Sequence, residues 1–278
     1  MPETLLDGLT FPEGPRWHQG RLWFSDFYNH RVIAVGLGGK TETIVTVPNI
    51  PSGLGWLPDG TLLVVSMDDR KLLRLQDGVL STHGDLSSIA AGPCNDMVVD
   101  TRGRAYVGNF GYDRFKGEEA RAARMARVDP DGTVSIVADD LLFPNGTVIT
   151  PDGRTLIVGE SMGNRLTAFD IGDDGGLSNR RVWAETPGIV PDGICLDEEG
   201  AIWVADPRKN RVVRVRPGGA IADTISLPGR QAFACMLGGD DRRTLFICTA
   251  PASGPDRAGK SDGMIEIARV TVPGTGLP

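Results

Sequence analysis

Residues 144–160 read Pro-Asn-Gly-Thr-Val-Ile-Thr-Pro-Asp-Gly-Arg-Thr-Leu-Ile-Val-Gly-Glu. A small amide residue beside Gly opens this stretch, and an apolar run, a Gly turn and a second apolar run follow. Two short apolar runs joined by a Gly turn predict a β-hairpin. The same order recurs six times, with openings at Pro12–Pro15, Pro51–Leu54, Cys94–Met97, Pro144–Thr147, Pro191–Ile194 and, in degenerate form, Ala232–Cys235.

A repeat of about 40–50 residues with several short strands in each unit is typical of a β-propeller blade. We therefore predict an all-β fold, a six-bladed β-propeller. Because the repeat runs from end to end without a linker, residues 1–278 are interpreted as a single propeller domain. The sixth unit lacks a fourth strand. We expect N-terminal residues 3–8 to supply it, so that no open sheet edge remains between the first and last blades.

Composition limits the classes of function. The net charge is −7 and no Lys/Arg block is present, which argues against a nucleic-acid or anionic-membrane partner. The start lacks a signal-like apolar stretch, and no apolar span is long enough for a bilayer, so we expect a cytoplasmic protein. We expect a small-molecule substrate and a monomer or dimer. The four cysteines show no CxxC spacing and are interpreted as small buried thiols.

The openings of the units are predicted to meet in space. In a propeller the inner strands stand around one axis, so their starts converge at one end of the channel. Four openings carry Glu13, Asn95, Asn145 and Asp192, which would bring two carboxylates and two amides together. Such an oxygen-only set suits one hard divalent cation. Ca²⁺ ranks first and Mg²⁺ and Mn²⁺ next, with Zn²⁺ and Fe²⁺ as further alternatives.

A plainer interpretation is that these residues beside Gly are turn formers leading into strands. The blade turns, however, already carry their own signals, such as Pro58-Asp59-Gly60. A second acidic or amide set at the opposite end of the strand is not needed for turning. Two connections on the same face, residues 110–126 and 250–263, exceed what a hairpin needs, and long loops on a rigid scaffold are where function concentrates.

Four motifs carry a resemblance to a known family. They are Glu-Gly-Pro-Arg-Trp (13–17), Asn-Asp-Met-Val-Val-Asp (95–100), Phe-Pro-Asn-Gly (143–146) and Pro-Asp-Gly-Ile-Cys-Leu-Asp (191–197). With them the chain resembles, over essentially its whole length, the gluconolactonase and regucalcin (senescence marker protein) family. The resemblance implies a six-bladed propeller that carries one divalent metal and hydrolyses lactones. It implies metal ligands at Glu13, Asn145 and Asp192, a general base at Asp192, and Asn95 facing solvent or substrate.

One departure from the family bears on the substrate. Many members that act on sugar lactones resemble one another in an Arg that contacts substrate hydroxyls, two residues before the Asn-Asp motif. Here that position is Pro93. Apolar and aromatic residues, including Tyr28, follow the second strands. Their side chains suit a hydrophobic ligand better than a polyol. The alternative is that these side chains only pack beneath the loops. We expect substrate contacts from Asn95, Asn109, Phe27, Met67, Phe110, Tyr112 and Met162.

The expected reaction is metal-assisted opening of a lactone less polar than a sugar lactone. Asp192 would orient or deprotonate the attacking water, and Glu13 and Asn145 would fix the ion. Asn95 would help to stabilise the oxyanion, while Asp96 would turn away and orient its neighbours. Two alternatives stay open: a metal-assisted lyase, isomerase or condensation enzyme acting next to a carbonyl, and a non-catalytic binding propeller.

Overall fold

Residues 2–278 are described by a computed structural model in which the strands form six four-stranded antiparallel sheets. In five of the sheets the strands follow one another in chain order from the inside outward. The predicted second strands run antiparallel to the first, as in the pairing of Pro12 with Asp26 and of Pro144 with Glu160. The prediction of a six-bladed β-propeller is therefore confirmed.

The blades are numbered here along the chain, with strands given from the axis outward. Blade 1 contains β2 (Pro12–His18), β3 (Arg21–Asp26), β4 (Arg31–Val35) and β5 (Thr41–Thr46). Blade 2 contains β6 (Pro51–Trp56), β7 (Leu62–Ser66), β8 (Lys71–Gln76) and β9 (Val79–Asp85). Blade 3 contains β10 (Cys94–Val99), β11 (Ala105–Asn109), β12 (Ala123–Val128) and β13 (Val134–Leu141).

The remaining blades complete the ring. Blade 4 contains β14 (Pro144–Ile149), β15 (Thr155–Glu160), β16 (Arg165–Ile171) and β17 (Leu177–Glu185). Blade 5 contains β18 (Ile194–Leu196), β19 (Ile202–Asp206), β20 (Arg211–Val215) and β21 (Ile221–Ser226). Blade 6 contains β22 (Gln231–Gly238), β23 (Thr244–Ala250), β24 (Gly263–Arg269) and, on its outside, β1 (Glu3–Leu9). Short 3-10 helices span Phe27–Asn29, Arg114–Lys116, Pro207–Lys209 and Pro255–Arg257.

The inner strands form a continuous ring around the axis. Each of β2, β6, β10, β14 and β18 contacts the inner strand of the next blade, and β22 contacts β2. The apolar core lies between neighbouring blades, where Leu22, Trp203 and Phe246 of blades 1, 5 and 6 are buried in one cluster. All four cysteines are buried and free, in agreement with the interpretation as small packed thiols.

The N-terminal strand closes the ring, as expected. Strand β1 pairs antiparallel with β24, with Glu3 opposite Ile267 and Leu9 opposite Gly263. Its pairing covers the outer edge of β24, so the last blade reaches four strands with residues from both ends of the chain. Within residues 2–278, no helix has the length and apolar composition needed to cross a membrane.

The C-terminal segment was not foreseen from the sequence. It runs beneath the ring at the end opposite to the openings of the inner strands, where Leu277 forms a bridge with Ile149 at the end of β14. Gly274 forms a second bridge with Asp197, just beyond β18, and Thr275 N donates to Leu196 O at 3.0 Å. The tail thus ties blades 4 and 5 together from below.

Candidate active site

The four predicted site residues lie where the inner strands become irregular. The register of the inner strand shifts between Glu13 and Arg16 in blade 1, and likewise just after the openings of blades 3 and 4. In blade 5 the strand begins only at Ile194, so Asp192 precedes it. A bulge re-aims the side chain that it carries. Glu13, Asn95, Asn145 and Asp192 consequently line one cavity at the mouth of the channel.

The glycines beside Asn145 and Asp192 are required by crowding rather than by a turn. A Cβ on Gly146 would lie 2.5 Å from Ile194 N, and one on Gly193 would lie 2.4 Å from the Cβ of Ala234. Neither glycine has a positive φ. The backbones also bond directly, since Gly193 N donates to Phe233 O at 2.8 Å. The Asn-Gly and Asp-Gly pairs therefore mark the points where neighbouring inner strands touch.

The cavity has a volume of about 880 Å³, and the two long loops predicted from the sequence contribute to its lining. The first loop spans residues 110–122, shorter than expected because β12 already begins at Ala123, and the second spans 251–262. They meet over the mouth, where the Phe115 ring comes within 3.4 Å of the site of a Cβ on Gly254. Both loops thus form part of a roof over the polar floor.

The predicted substrate-contact residues divide into two groups. Those that line the cavity are Asn95, Phe27, Met67, Phe110, Tyr112 and Met162, and Tyr28 of the apolar rim lines it as well. Asn109 is instead directed into blade 3, where its Nδ2 donates to Arg124 O at 2.6 Å and its Oδ1 accepts from Gly111 N at 2.9 Å. Asn109 is therefore not part of the cavity lining, and its two hydrogen bonds position the start of the first loop instead. Pro93, at the position of the family's Arg, does line the cavity.

An aromatic cluster forms the wall of the cavity. Phe110 stacks on Phe143 with ring centroids 4.4 Å apart, and Phe11 lies 4.6 Å from Phe233 and 5.3 Å from Phe27. Sequence reasoning missed Phe11, Phe143 and Phe233. A signal for two of them exists, because Phe11 and Phe143 each stand directly before the Pro that opens a repeat. This aromatic wall is apolar surface facing the cavity above a polar floor.

The two carboxyl groups of the floor are hard to ionise. Burial raises the pKa of Glu13 well above its ordinary value, and the negative charge of Asp192 raises it further. Burial also raises the pKa of Asp192 to about 7, against the opposing effects of the Arg114 charge and the Asn145 side chain. Two buried carboxyl groups in one cavity favour the binding of a cation, because its positive charge offsets the free-energy cost of ionising both groups.

Ser161 is a fourth residue that sequence reasoning missed. It follows β15 directly and lines the cavity beside Asn145. Asn145 Nδ2 donates to Ser161 Oγ at 3.2 Å, and Ser161 Oγ donates to Pro191 O at 2.6 Å. The hydroxyl therefore connects the amide of Asn145 to the backbone just before Asp192.

Asp96 turns away from the cavity, as expected. Its Oδ1 accepts from the buried Arg16 guanidinium, whose Nη2 also donates to Met97 O at 2.6 Å and whose Nε donates to Leu54 O at 3.0 Å. Asp96 also accepts from Met97 N at 2.8 Å. The pair lies behind the floor and links the inner strands of blades 1, 2 and 3.

The donor set at the floor fits a hard divalent cation. Within residues 2–278, no three His, Cys, Asp or Glu side chains come together as metal donors, so a cation here would rely on amide oxygens as well as the two carboxylates. Asn145 carries such an oxygen in Oδ1, while its Nδ2 donates to Ser161 Oγ and its side chain also hydrogen-bonds the Asp192 carboxyl. Carboxylate and amide oxygens are the ligands that Ca²⁺, Mg²⁺ and Mn²⁺ prefer.

The chain is similar to known proteins over its whole length. It shares 28% identity with the pentonolactonase XacC of Haloferax volcanii, across 96% of this chain and 92% of that protein. A gluconolactonase structure from Xanthomonas campestris is 26% identical and has a TM-score of 0.77, covering 98% of this chain and 89% of the other.

A calcium-binding protein, regucalcin, from Agrobacterium tumefaciens has the same fold, with a TM-score of 0.84 over 100% of this chain and 96% of that one at 24% identity. The family described as SMP-30/Gluconolactonase/LRE-like region matches residues 11–251, and the chain belongs to that family.

Proposed function

We propose that this protein is a divalent-metal-dependent lactonase. The observation that carries the proposal is the convergence of Glu13, Asn95, Asn145 and Asp192 on the floor of one cavity beneath an aromatic wall. The names of two similar proteins, a pentonolactonase and a gluconolactonase, support lactone opening as the reaction. The regucalcin structure, described as calcium-binding, supports a divalent ion.

Glu13, Asn145 and Asp192 would hold the cation at the floor. The chemistry that a divalent cation supplies when bound is polarisation of an ester carbonyl and acidification of a water. Asp192, as a carboxylate, accepts the proton of the attacking water. Asn95 donates from Nδ2 to the carbonyl oxygen as negative charge develops on it.

The cavity favours a lactone less polar than a sugar lactone. Phe110, Phe143 and Phe27 offer ring faces and edges rather than hydrogen-bond partners, and Pro93 offers no side-chain donor. A substrate hydroxyl left without a partner in such a site costs about 1–3 kcal/mol. A substrate with an apolar body makes the same contacts without that cost.

A lactone panel tests the proposal. Protein purified without chelator is expected to contain about one divalent ion per chain, and to open dihydrocoumarin and alkyl lactones with a higher kcat/KM than gluconolactone. Chelator should abolish turnover and Ca²⁺, Mg²⁺ or Mn²⁺ should restore it. In Pro93→Arg the preference should move towards the sugar lactone.

Two outcomes would change the assignment. A clear preference for gluconolactone would overturn the proposed substrate class. If metal-loaded, folded protein opens none of the lactones, hydrolysis itself fails, and carbonyl-adjacent proton abstraction by Asp192 or a non-catalytic binding role takes its place.

A further inference from the structure

A cationic side chain from the first loop extends over the aromatic wall. Arg114 begins the 3-10 helix Arg114–Lys116, which is capped by Asp113, whose side chain accepts from Phe115 N and Lys116 N. The Arg114 guanidinium lies 4.6 Å from the ring centroid of Phe115, 5.5 Å from that of Phe110 and 5.8 Å from that of Phe143. These rings hold the guanidinium at the mouth of the cavity.

Arg114 differs from its charged neighbours in having no carboxylate partner. Lys116 pairs with Asp113 and Arg121 pairs with Glu118, each at 2.9 Å. Among residues 2–278, the Arg114 guanidinium makes no hydrogen bond or ion pair. Its five N–H donors are therefore available to a ligand. Its charge nevertheless acts on the floor, where it lowers the pKa of Asp192 against the effect of burial.

The charges around the mouth indicate where an anion would bind. On the blade 2 side Asp68 and Arg70 line the mouth with opposite charges, whereas the carboxylates of Asp113 and Glu118 line it from the first loop and are paired with Lys116 and Arg121. Arg114 leans towards blade 4, where it lies over Phe143. Arg208, from the helix Pro207–Lys209 of blade 5, lines the same mouth and also has no ion-pair partner within the described residues. The negative charge of a ligand is thus directed to the side of blades 4 and 5.

We propose that Arg114 binds an anionic group of the substrate, which makes the natural substrate a lactone acid with an apolar body. This proposal rests on the proposed lactonase function. The lactone carbonyl would face Asp192 and Asn95 on the floor, the carbon body would pack on Phe110 and Phe143, and a carboxylate or sulfonate would meet the guanidinium. A planar guanidinium fork matches such a group in a bidentate manner, which an ammonium cannot do.

The test compares a charged and a neutral substrate of the same shape, dihydrocoumarin-6-carboxylate and dihydrocoumarin-6-carboxamide, with the ratio of their alkaline hydrolysis rates as the reference for their different intrinsic reactivity. For the wild-type protein, kcat/KM for the carboxylate should exceed that for the carboxamide by about 10-fold or more, the range of a charge-assisted hydrogen bond against a neutral one. In Arg114→Gln this ratio should fall by about 10-fold, towards the ratio of the uncatalysed hydrolysis rates. Arg114→Lys should give an intermediate ratio, because it keeps the charge and loses the fork.

Lys116→Gln is the matched control, since it removes one positive charge from the same helix at a side chain that is already paired with Asp113. It should retain the wild-type ratio. If the carboxylate-to-carboxamide ratio falls equally in Arg114→Gln and Lys116→Gln, any positive charge near the mouth has the same effect. That result would overturn the assignment to Arg114. Equal turnover of both substrates by wild type would overturn the lactone-acid proposal and leave the lactonase function standing. Turnover of neither would overturn both.

Discussion

Ser161 and Asn145 form a fixed pair at the floor of the cavity. Asn145 Nδ2 donates to Ser161 Oγ at 3.2 Å, and Oδ1 is the atom of this amide that can serve as a metal ligand. The same hydroxyl donates to Pro191 O at 2.6 Å, the carbonyl that precedes Asp192. Through these two hydrogen bonds Ser161 positions the predicted ligand Asn145 of blade 4. It also positions the backbone that leads to the predicted ligand Asp192 of blade 5.

Ser161→Ala should weaken Ca²⁺ binding by about 10- to 100-fold, the usual effect of removing a side chain that orients a metal ligand. The physical reason is that Asn145 then rotates freely about its terminal bond and spends less time with Oδ1 towards the ion. Isothermal titration with Ca²⁺ measures the effect. Ser161→Thr, which keeps the hydroxyl, should restore most of the affinity.

Ser66→Ala is the control for a merely structural role. Ser66 is buried at the end of β7, and its Oγ donates to Asp69 rather than to a predicted ligand. This variant should lose stability without changing the Ca²⁺ affinity. If Ser66→Ala and Ser161→Ala weaken Ca²⁺ binding equally, the positioning role of Ser161 is wrong.

Much of the fold was predictable because its signal is repeated. Any single Asn-Gly or Asp-Gly pair is ambiguous, but six openings at a regular spacing predict six inner strands. Because these strands form a ring, Glu13 and Asp192 lie in one cavity although they are far apart in sequence. The interpretation of residues 1–278 as one domain stays a prediction, which the pairing of β1 with β24 supports.

The features that escaped prediction have no local pattern. The bridge of Leu277 to Ile149 is a backbone contact between distant segments and depends on no particular side chain. The orientation of Asn109 was missed because position alone does not show that its amide is used inside blade 3. The ligand and base roles of Glu13, Asn145 and Asp192 stay predictions.

Compared with the wild type, Glu13→Gln should be more stable in chelator and less stable in excess Ca²⁺. The raised pKa values of Glu13 and Asp192 mean that the folded protein holds protons more tightly than the unfolded chain. The stability that they contribute is present at low pH and is lost as the pH rises through the folded pKa values. Glu13→Gln removes one of these charges.

At pH 8 in chelator, Glu13→Gln should raise the melting temperature by about 2–4 °C, the shift that ~1 kcal/mol gives in a chain of this size. At pH 5 the difference from wild type should shrink. In excess Ca²⁺ the order should reverse, because the wild type gains more binding energy in the folded state. Thermal melts at the two pH values check this, and a variant less stable than wild type in chelator at pH 8 would contradict it.

Asp96→Ala should destabilise the protein by about 3–5 kcal/mol, because it leaves the buried Arg16 guanidinium without its carboxylate partner. Urea denaturation measures the loss. The double variant Arg16→Met with Asp96→Ala should lose less than the sum of the two single variants, since neither charge is then left alone. Additive losses would show that the two side chains do not act as a pair.

Asp192→Asn should lower kcat on the best lactone by about 10²- to 10⁴-fold, the usual contribution of a general base. Asn keeps an oxygen that can face a cation but cannot accept the proton of the attacking water, so the change separates the two predicted roles of Asp192. Calcium titration and circular dichroism of the same variant should show that binding largely persists and that the fold is intact. A variant that keeps more than about a tenth of the wild-type rate would place the base elsewhere. Asp96 would be a poor substitute, because its Oδ1 is engaged by Arg16 behind the floor rather than facing the cavity.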